Sequence, residues 1–280
     1  MHSEQNFERA LGLLVCPGCH QGALAIAHDG AGDGTAVSCR GCEQSFPFRA
    51  GILEMLGGGA QQLTLAQKSL QASTLAKAYA WTRDPMTLLV AGHTFGREVQ
   101  RMEEALDLGA GDTVLDVACG HGNFTAAIAR RVSPGLVLAL DISRPMLQQA
   151  ASRMLRQGLR NVVLIRGDVH NLPFGTGAIP KINCSGGFCQ FPELDRAIDN
   201  IHRVLSPGGR FSGSCFARSR GILDQRIQEV IQSGIDMRFV DLVALGGKMS
   251  AAGFAAYGSA RTRWFGYFNA SKPEIREEVV

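Results

Sequence analysis

Four of the eight cysteines are spaced to do chemistry. "CPGC" carries Cys16 and Cys19, "CRGC" carries Cys39 and Cys42, and 19 residues separate the two pairs. A two-residue spacer presents both thiolates of a pair from one tight turn, and Pro17-Gly18 and Arg40-Gly41 are residues suited to such turns. Four thiolates match the tetrahedral preference of Zn2+. A shell completed by protein leaves no open position, so a metal held there is expected to be structural. His20 is an alternative ligand beside the first pair. The other cysteines, Cys119, Cys184, Cys189 and Cys215, lie singly in apolar or glycine-rich surroundings. So lopsided a distribution does not describe a secreted disulfide framework.

A second group of residues centres on "VLDVACGHGNF", Val114 to Phe124. An acid near the end of an apolar run, followed by Gly120 and Gly122, looks like a phosphate-binding turn. The dinucleotide fingerprint requires a third glycine where Thr125 stands, and no Gly-Lys-Ser/Thr follows for a Walker loop. Two later acids give the turn its meaning. Asp141 closes the next apolar run, where a carboxylate can accept bonds from ribose hydroxyls. Asp168, in "RGDV", closes the third and is placed to accept from an adenine amino group, with Val169 against the ring. A ligand with ribose and adenine but no pyrophosphate fits these groups. Asp116 would then welcome a cationic tail and repel a diphosphate.

The elements that must position these acids alternate. "TVLDVA", "GLVLALDI", "NVVLIRGD", "KINCSG" and "RFSGSCF" read as strands, with helical stretches between them and "SPGG" as a turn. This alternation predicts an α/β fold, a parallel sheet with helices on both faces that binds ligands at its carboxyl edge. The boundaries fall at 1–56 for the cysteine ribbon, closed by a strand from "EQSFPFRAGILEML", and at 57–108 for a helical linker and cap. The α/β domain follows at 109–280, with a helical lid inserted at about 220–249. "ARTRWFGYFNASKP" reads as a hairpin turning at Gly266.

The motifs "VLDVACGHG", "LALDIS", "IRGDVHNLPF" and "HRVLSPGGRF" resemble the class I S-adenosylmethionine-dependent methyltransferases. Ala118-Cys119 in place of Gly-x resembles the ubiquinone/menaquinone methyltransferase group. With the zinc pair and "YAWTRDPMTLLVAGHTFGREV", the chain is similar to a branch that fuses a four-cysteine ribbon ahead of the domain. The resemblance implies a Rossmann-like sheet of seven strands in order 3-2-1-4-5-7-6, the seventh antiparallel. It implies that Ala118, Cys119, Gly120 and Gly122 line the methionine part of the cofactor and that Asp141 and Ile142 hold the ribose. Met146, Asp168 and Val169 would lie at the adenine, and Asn183, Cys184 and Ser185 near the sulfonium. Tyr79 or Arg83 would reach the carboxylate. Relatives often carry a His after the fourth strand where this chain has Cys189.

The expected activity is methyl transfer to a small, largely apolar acceptor of secondary-metabolite, quinone or isoprenoid type, on carbon or oxygen, leaving S-adenosylhomocysteine. His93 and His170 are the candidate bases; His121 and His202 are read as structural. Two other classes compete: base methylation of rRNA or tRNA through the ribbon, and a cofactor-binding cyclase without transfer. A net charge of +3, and a ribbon whose only cations between Cys16 and Leu56 are Arg40 and Arg49, disfavour nucleic acid. No apolar run approaches the ~20 residues of a membrane span, and Glu4 and Glu8 do not suit a signal peptide, so the expected location is the cytoplasm.

Overall fold

The computed structural model describes residues 2–21, 23–28, 35–56, 92, 94–235 and 238–274. Tyr79, Arg83, His93 and the helical stretch before Gly92 lie outside the described residues. The ribbon follows helix α1 (His2–Leu11) and contains β1 (Leu24–His28), β2 (Thr35–Cys39), β3 (Ser45–Arg49) and β4 (Ile52–Glu54). "EQSFPFRAGILEML" gives two strands rather than one closing strand. Ala50 and Gly51 both take positive φ, 52° and 77°, the geometry of a two-residue hairpin turn.

Beyond it come α2 (Phe95–Leu106), β5 (Thr113–Val117), α3 (Asn123–Val132), β6 (Leu136–Asp141), α4 (Arg144–Arg156), β7 (Val162–Arg166) and β8 (Ile179–Ser185). Helix α5 (Leu194–Val204) buries Ala197, Ile198, Ile201 and Val204, one helical stripe. The chain ends in β9 (Leu205–Phe216), α6 (Ile222–Ile235), α7 (Leu242–Ala251), β10 (Ala255–Thr262) and β11 (Phe265–Ser271).

Among the described residues, the eleven strands form one sheet, in order β1-β2-β3-β4-β7-β6-β5-β8-β9-β11-β10. β4 to β9 pair parallel in this order, while β11 runs antiparallel to β9 and β10 to β11. The sheet is therefore larger than the seven strands expected, because the ribbon joins its edge: Ile52 pairs with Leu164, Leu53 with Ile165 and Glu54 with Arg166. Residue 56 marks no break in packing. Leu14, Cys16, Phe46, Leu53 and Met55 share one buried cluster with Leu115, Val117 and Ile165. Period-two alternation divides β5: Val114 packs with α2 and α3 through Leu106 and Ile128, while Leu115 and Val117 face the other layer.

Two local expectations change. "SPGG" lies within the run of β9, at a register shift between Ile179 and Lys181 of its neighbour β8. The terminal hairpin turns at Arg263-Trp264, where Arg263 has φ 43°, and Gly266 sits within β11, facing Leu242 so closely that a Cβ would stand 2.8 Å from its Cδ2.

Candidate functional site

The loop from β5 to α3 turns through three left-handed residues, Ala118, Gly120 and Gly122, at φ 54°, 55° and 80°. Gly122 caps α3, and a Cβ there would approach Ala150 Cβ at 3.0 Å and Met154 Cε at 3.1 Å. Ala118 holds a conformation that costs an L-residue about 1 kcal/mol. Ala118→Gly is accordingly expected to raise stability against urea by about 1 kcal/mol. No gain would mean that the loop is held by something other than local backbone preference. Gly187 is already close, since a Cβ on it would stand 2.8 Å from that of Ala118.

Asp116, 1% exposed, points into the same loop. Thr125 Oγ1 donates to one carboxylate oxygen at 2.6 Å and Asn183 Nδ2 to the other at 2.7 Å. Thr125 thus fills the place of the missing third glycine with a hydroxyl that anchors the acid, a role sequence reading missed. Burial pushes the Asp116 carboxyl up to about 6, against the bonds from Thr125 and Asn183 that lower it. Because the folded value lies above the unfolded one, protons bind more tightly in the native state. Stability should fall as pH rises from about 4 through about 6, by up to about 3 kcal/mol. Urea unfolding of Asp116→Asn should show a shallower slope, the remainder coming from Asp141, whose carboxyl burial also raises; an identical slope in both proteins would contradict the assignment.

Asp141 ends β6 at 9% exposure and joins the loop to the next helix. Gly120 N–H donates to its Oδ2 and Ser143 N–H to its Oδ1, each at 2.8 Å, and each oxygen keeps a second lone pair. Burial raises its carboxyl above the ordinary range. Ile142 is partly exposed and its carbonyl accepts from Arg166 Nε, whereas Met146 is buried on α4, next to the Ser143 cap. Asp168 and Val169 stand at the end of β7. Burial raises the Asp168 carboxyl, but the ring and main-chain bonds from His170 outweigh it and leave it below its usual value. His170 Nδ1 lies 2.7 Å from Asp168 Oδ1 and the ring is nearly buried, so this candidate base is engaged in fixing Asp168.

Cys119 and Cys184 are both buried, and burial raises their thiols well above the usual range. Asn183 and Ser185 face Asp116, with Ser185 Oγ donating to Asn183 Oδ1 at 3.0 Å. Cys184 points to the opposite layer, into the main cluster, and can offer a ligand only its backbone. Cys189, in place of the relatives' His, is 1% exposed and pushed up to about 11 by burial, which leaves no thiolate for catalysis. His121 is buried with its carbonyl accepting from Arg153 Nε, and His202 packs on Phe254 on the other side of the domain.

On the Asp116 face a cavity of about 330 Å3 opens beside the loop, between α2 and the strands β8, β9, β11 and β10. Its wall includes Phe124 and Ser185. Among the described residues, none that lines it comes from 220–249, the segment expected to form a lid. Instead α6 turns Leu223 and Val230 to solvent at 74% and 73% exposure.

At the other end of the sheet, the sulfur atoms of Cys16, Cys19, Cys39 and Cys42 lie within 4.8 Å of one another. The Cys16–Cys42 and Cys19–Cys39 separations are 3.6 Å, far beyond a disulfide and close to the ~3.8 Å edge of a tetrahedron with 2.3 Å metal–sulfur bonds. Gly18 and Gly41 N–H groups donate to Cys16 and Cys39 sulfur, which favours thiolates. The four could hold a metal ion. His20 is not part of the group.

Residues 114–209 match the family profile described as a methyltransferase domain. This segment is therefore similar to methyltransferase domains. An uncharacterised chloroplastic methyltransferase of Arabidopsis thaliana is 25% identical over 73% of this chain and 61% of its own length. The demethylmenaquinone methyltransferase of Lactiplantibacillus plantarum is 33% identical over 51% of this chain and 59% of its own. The chain thus spans about 60% of the length of each of these relatives. Phosphoethanolamine N-methyltransferase 2 of Haemonchus contortus, solved with phosphomonomethylethanolamine and S-adenosylhomocysteine, shares the fold. It superposes with a TM-score of 0.64 at 16% identity, over 75% of this chain and 60% of that one. The matched segment contains the glycine loop, Asp116, Asp141 and Asp168. Among the described residues no helix is long and apolar enough to cross a membrane.

Proposed function

We propose that the whole chain is an S-adenosylmethionine-dependent methyltransferase acting on a small acceptor, with a Zn2+ ion held by Cys16, Cys19, Cys39 and Cys42. The observation that carries the reading is the junction of Asp141 and Gly120. The acid ending the second strand of the domain is bonded to the glycine turn after the first, so one carboxylate fixes both the ribose end and the methionine end of a ligand. The residues fit the cofactor: Gly122 leaves no room for a side chain, and Asp168 is kept ionised for the adenine side. Asp116 reaches a ligand tail only through its loop, because its carboxylate is buried beneath it.

When bound, the cofactor supplies a methyl group already activated on a sulfonium. Positioning and exclusion of water then account for much of the rate. The chain's part is to hold the acceptor opposite the loop, in the cavity that Phe124 and Ser185 border. The similarity to a demethylmenaquinone methyltransferase supports an acceptor of quinone or related type.

The test is release of S-adenosylhomocysteine from S-adenosylmethionine on addition of hydroxylated and quinone-type small molecules. Turnover with such a fraction is the expected result. Cofactor binding without transfer to any fraction would favour a cyclase. Retention on RNA that falls steeply with salt would favour the nucleic-acid reading.

A further inference from the structure

The cavity beside the loop has an ordered floor. Two cross-strand rows run from β8 to β10: Ser185, Ser214, Tyr267 and Ala260, then Asn183, Ser212, Asn269 and Gly258. The second row begins at Asn183, which donates to Asp116, so the floor is continuous with the cofactor loop. Above it, α2 presents Glu98, Arg101, Met102 and Ala105, one face at spacings of three and four.

The lining is of two kinds. Phe124 and Met102 supply an apolar wall. Opposite stand one carboxylate, one guanidinium and one phenol. Glu98 is only 2% exposed, Tyr267 bonds to it, and Arg101 lies 4.7 Å above the Tyr267 ring. Burial first, and then the Glu98 charge, raise the Tyr267 hydroxyl, which therefore stays protonated and donates to Glu98. A carboxylate, a guanidinium and a phenol gathered at the wall of one cavity are groups suited to meet a polar, acidic ligand there.

We infer that this cavity is the acceptor site and that its acceptor is a compact ring bearing an acidic hydroxyl, a phenol or enol, which Glu98 and Arg101 recognise. The inference rests on the methyltransferase reading and narrows its acceptor. The ring lies against Phe124 and Met102, and its hydroxyl points at Glu98. The acceptor O–H bond breaks, the proton passes to a Glu98 oxygen, and the electron pair remains on the acceptor oxygen as the nucleophile. Arg101 offsets the resulting negative charge. A cavity of about 330 Å3 holds one or two rings, so any long apolar tail of the acceptor stays outside it.

Titration of the intact chain, without cofactor, with the chromophoric phenol 4-nitrocatechol tests this. At a pH below the probe's own first ionisation, saturable binding with growth of the phenolate absorption band is expected for the wild type. Glu98→Gln should weaken binding about tenfold to a hundredfold, the loss of one hydrogen bond to a charged group, and should abolish the band. Arg101→Met should weaken the probe in the same sense. Affinity for S-adenosylhomocysteine, measured by calorimetry on the same proteins, should not change in either variant. Equal probe binding and equal band in wild type and Glu98→Gln, or no binding to the wild type at millimolar probe, would overturn the proposal. So would a parallel loss of probe and S-adenosylhomocysteine binding, which marks a structural role for Glu98. A wild type that binds the probe but not S-adenosylhomocysteine would instead contradict the cofactor reading and leave the acid-recognition site standing.

Discussion

Cys39→Ser, or chelation of metal from the intact chain, is expected to destabilise the entire domain and not the ribbon alone. Structural zinc sites of this kind hold their ion with roughly 10–16 kcal/mol, as much as the whole stability of an ordinary domain at about 5–15 kcal/mol. Here that free energy is not confined to a detachable module. β4 extends the sheet beside β7, and Ile52, Leu53 and Met55 are buried to within 1%. Burial of each such side chain stabilises by about 1.5–3 kcal/mol, all of which is lost if the ribbon opens. Glu54 adds ion pairs to Arg166 at 3.2 Å and Arg144 at 3.5 Å. Opening would also expose the unpaired edge of β7, a liability for aggregation. Thermal unfolding followed by circular dichroism should therefore show a lower, still single transition for Cys39→Ser and for chelated protein. An unchanged transition would mean that the four thiols carry no stabilising metal.

Asp141→Ala should lower affinity for S-adenosylhomocysteine by at least about a hundredfold while leaving the protein folded. Two contributions add. On the proposed cofactor reading, the variant loses a charged acceptor for two ribose hydroxyls, at about 1.5–3 kcal/mol per bond to a charged group. It also frees the Gly120 and Ser143 amides, each now held at 2.8 Å, so the loop no longer arrives preformed. The stability change is expected to be smaller, because the charged form of Asp141 is itself disfavoured by burial. Calorimetric titration beside an unfolding curve separates the two effects. Affinity within threefold of the wild type would remove Asp141 from the site.

The strand-end acids were legible because each closes an apolar run, and period-two alternation predicts which neighbours share its face. The same rule, applied one residue further, separates the side chain of Cys184 from those of Asn183 and Ser185, leaving Cys184 only its backbone on the Asp116 side. What stayed hidden depends on distant pairing. Nothing local in "GILEML" says that Ile52 will meet Leu164. The cavity wall is equally remote from any motif: Glu98 and Tyr267 meet only because α2 lies over β8 and β9, and β11 runs antiparallel beside β9. The terminal hairpin was placed at its glycine, whereas Arg263 took the positive φ and Gly266 was needed for close packing. Thr125 was read as an absent glycine, and its hydroxyl holds Asp116.

The most direct test of the account is calorimetric titration of the intact chain with S-adenosylhomocysteine, run beside NADH. One site per chain with micromolar or better affinity for S-adenosylhomocysteine, weakened in Asp141→Ala, and no comparable heat from NADH is the result predicted. Binding of NADH at the same site with equal affinity, or no binding of S-adenosylhomocysteine at millimolar concentration, would contradict it.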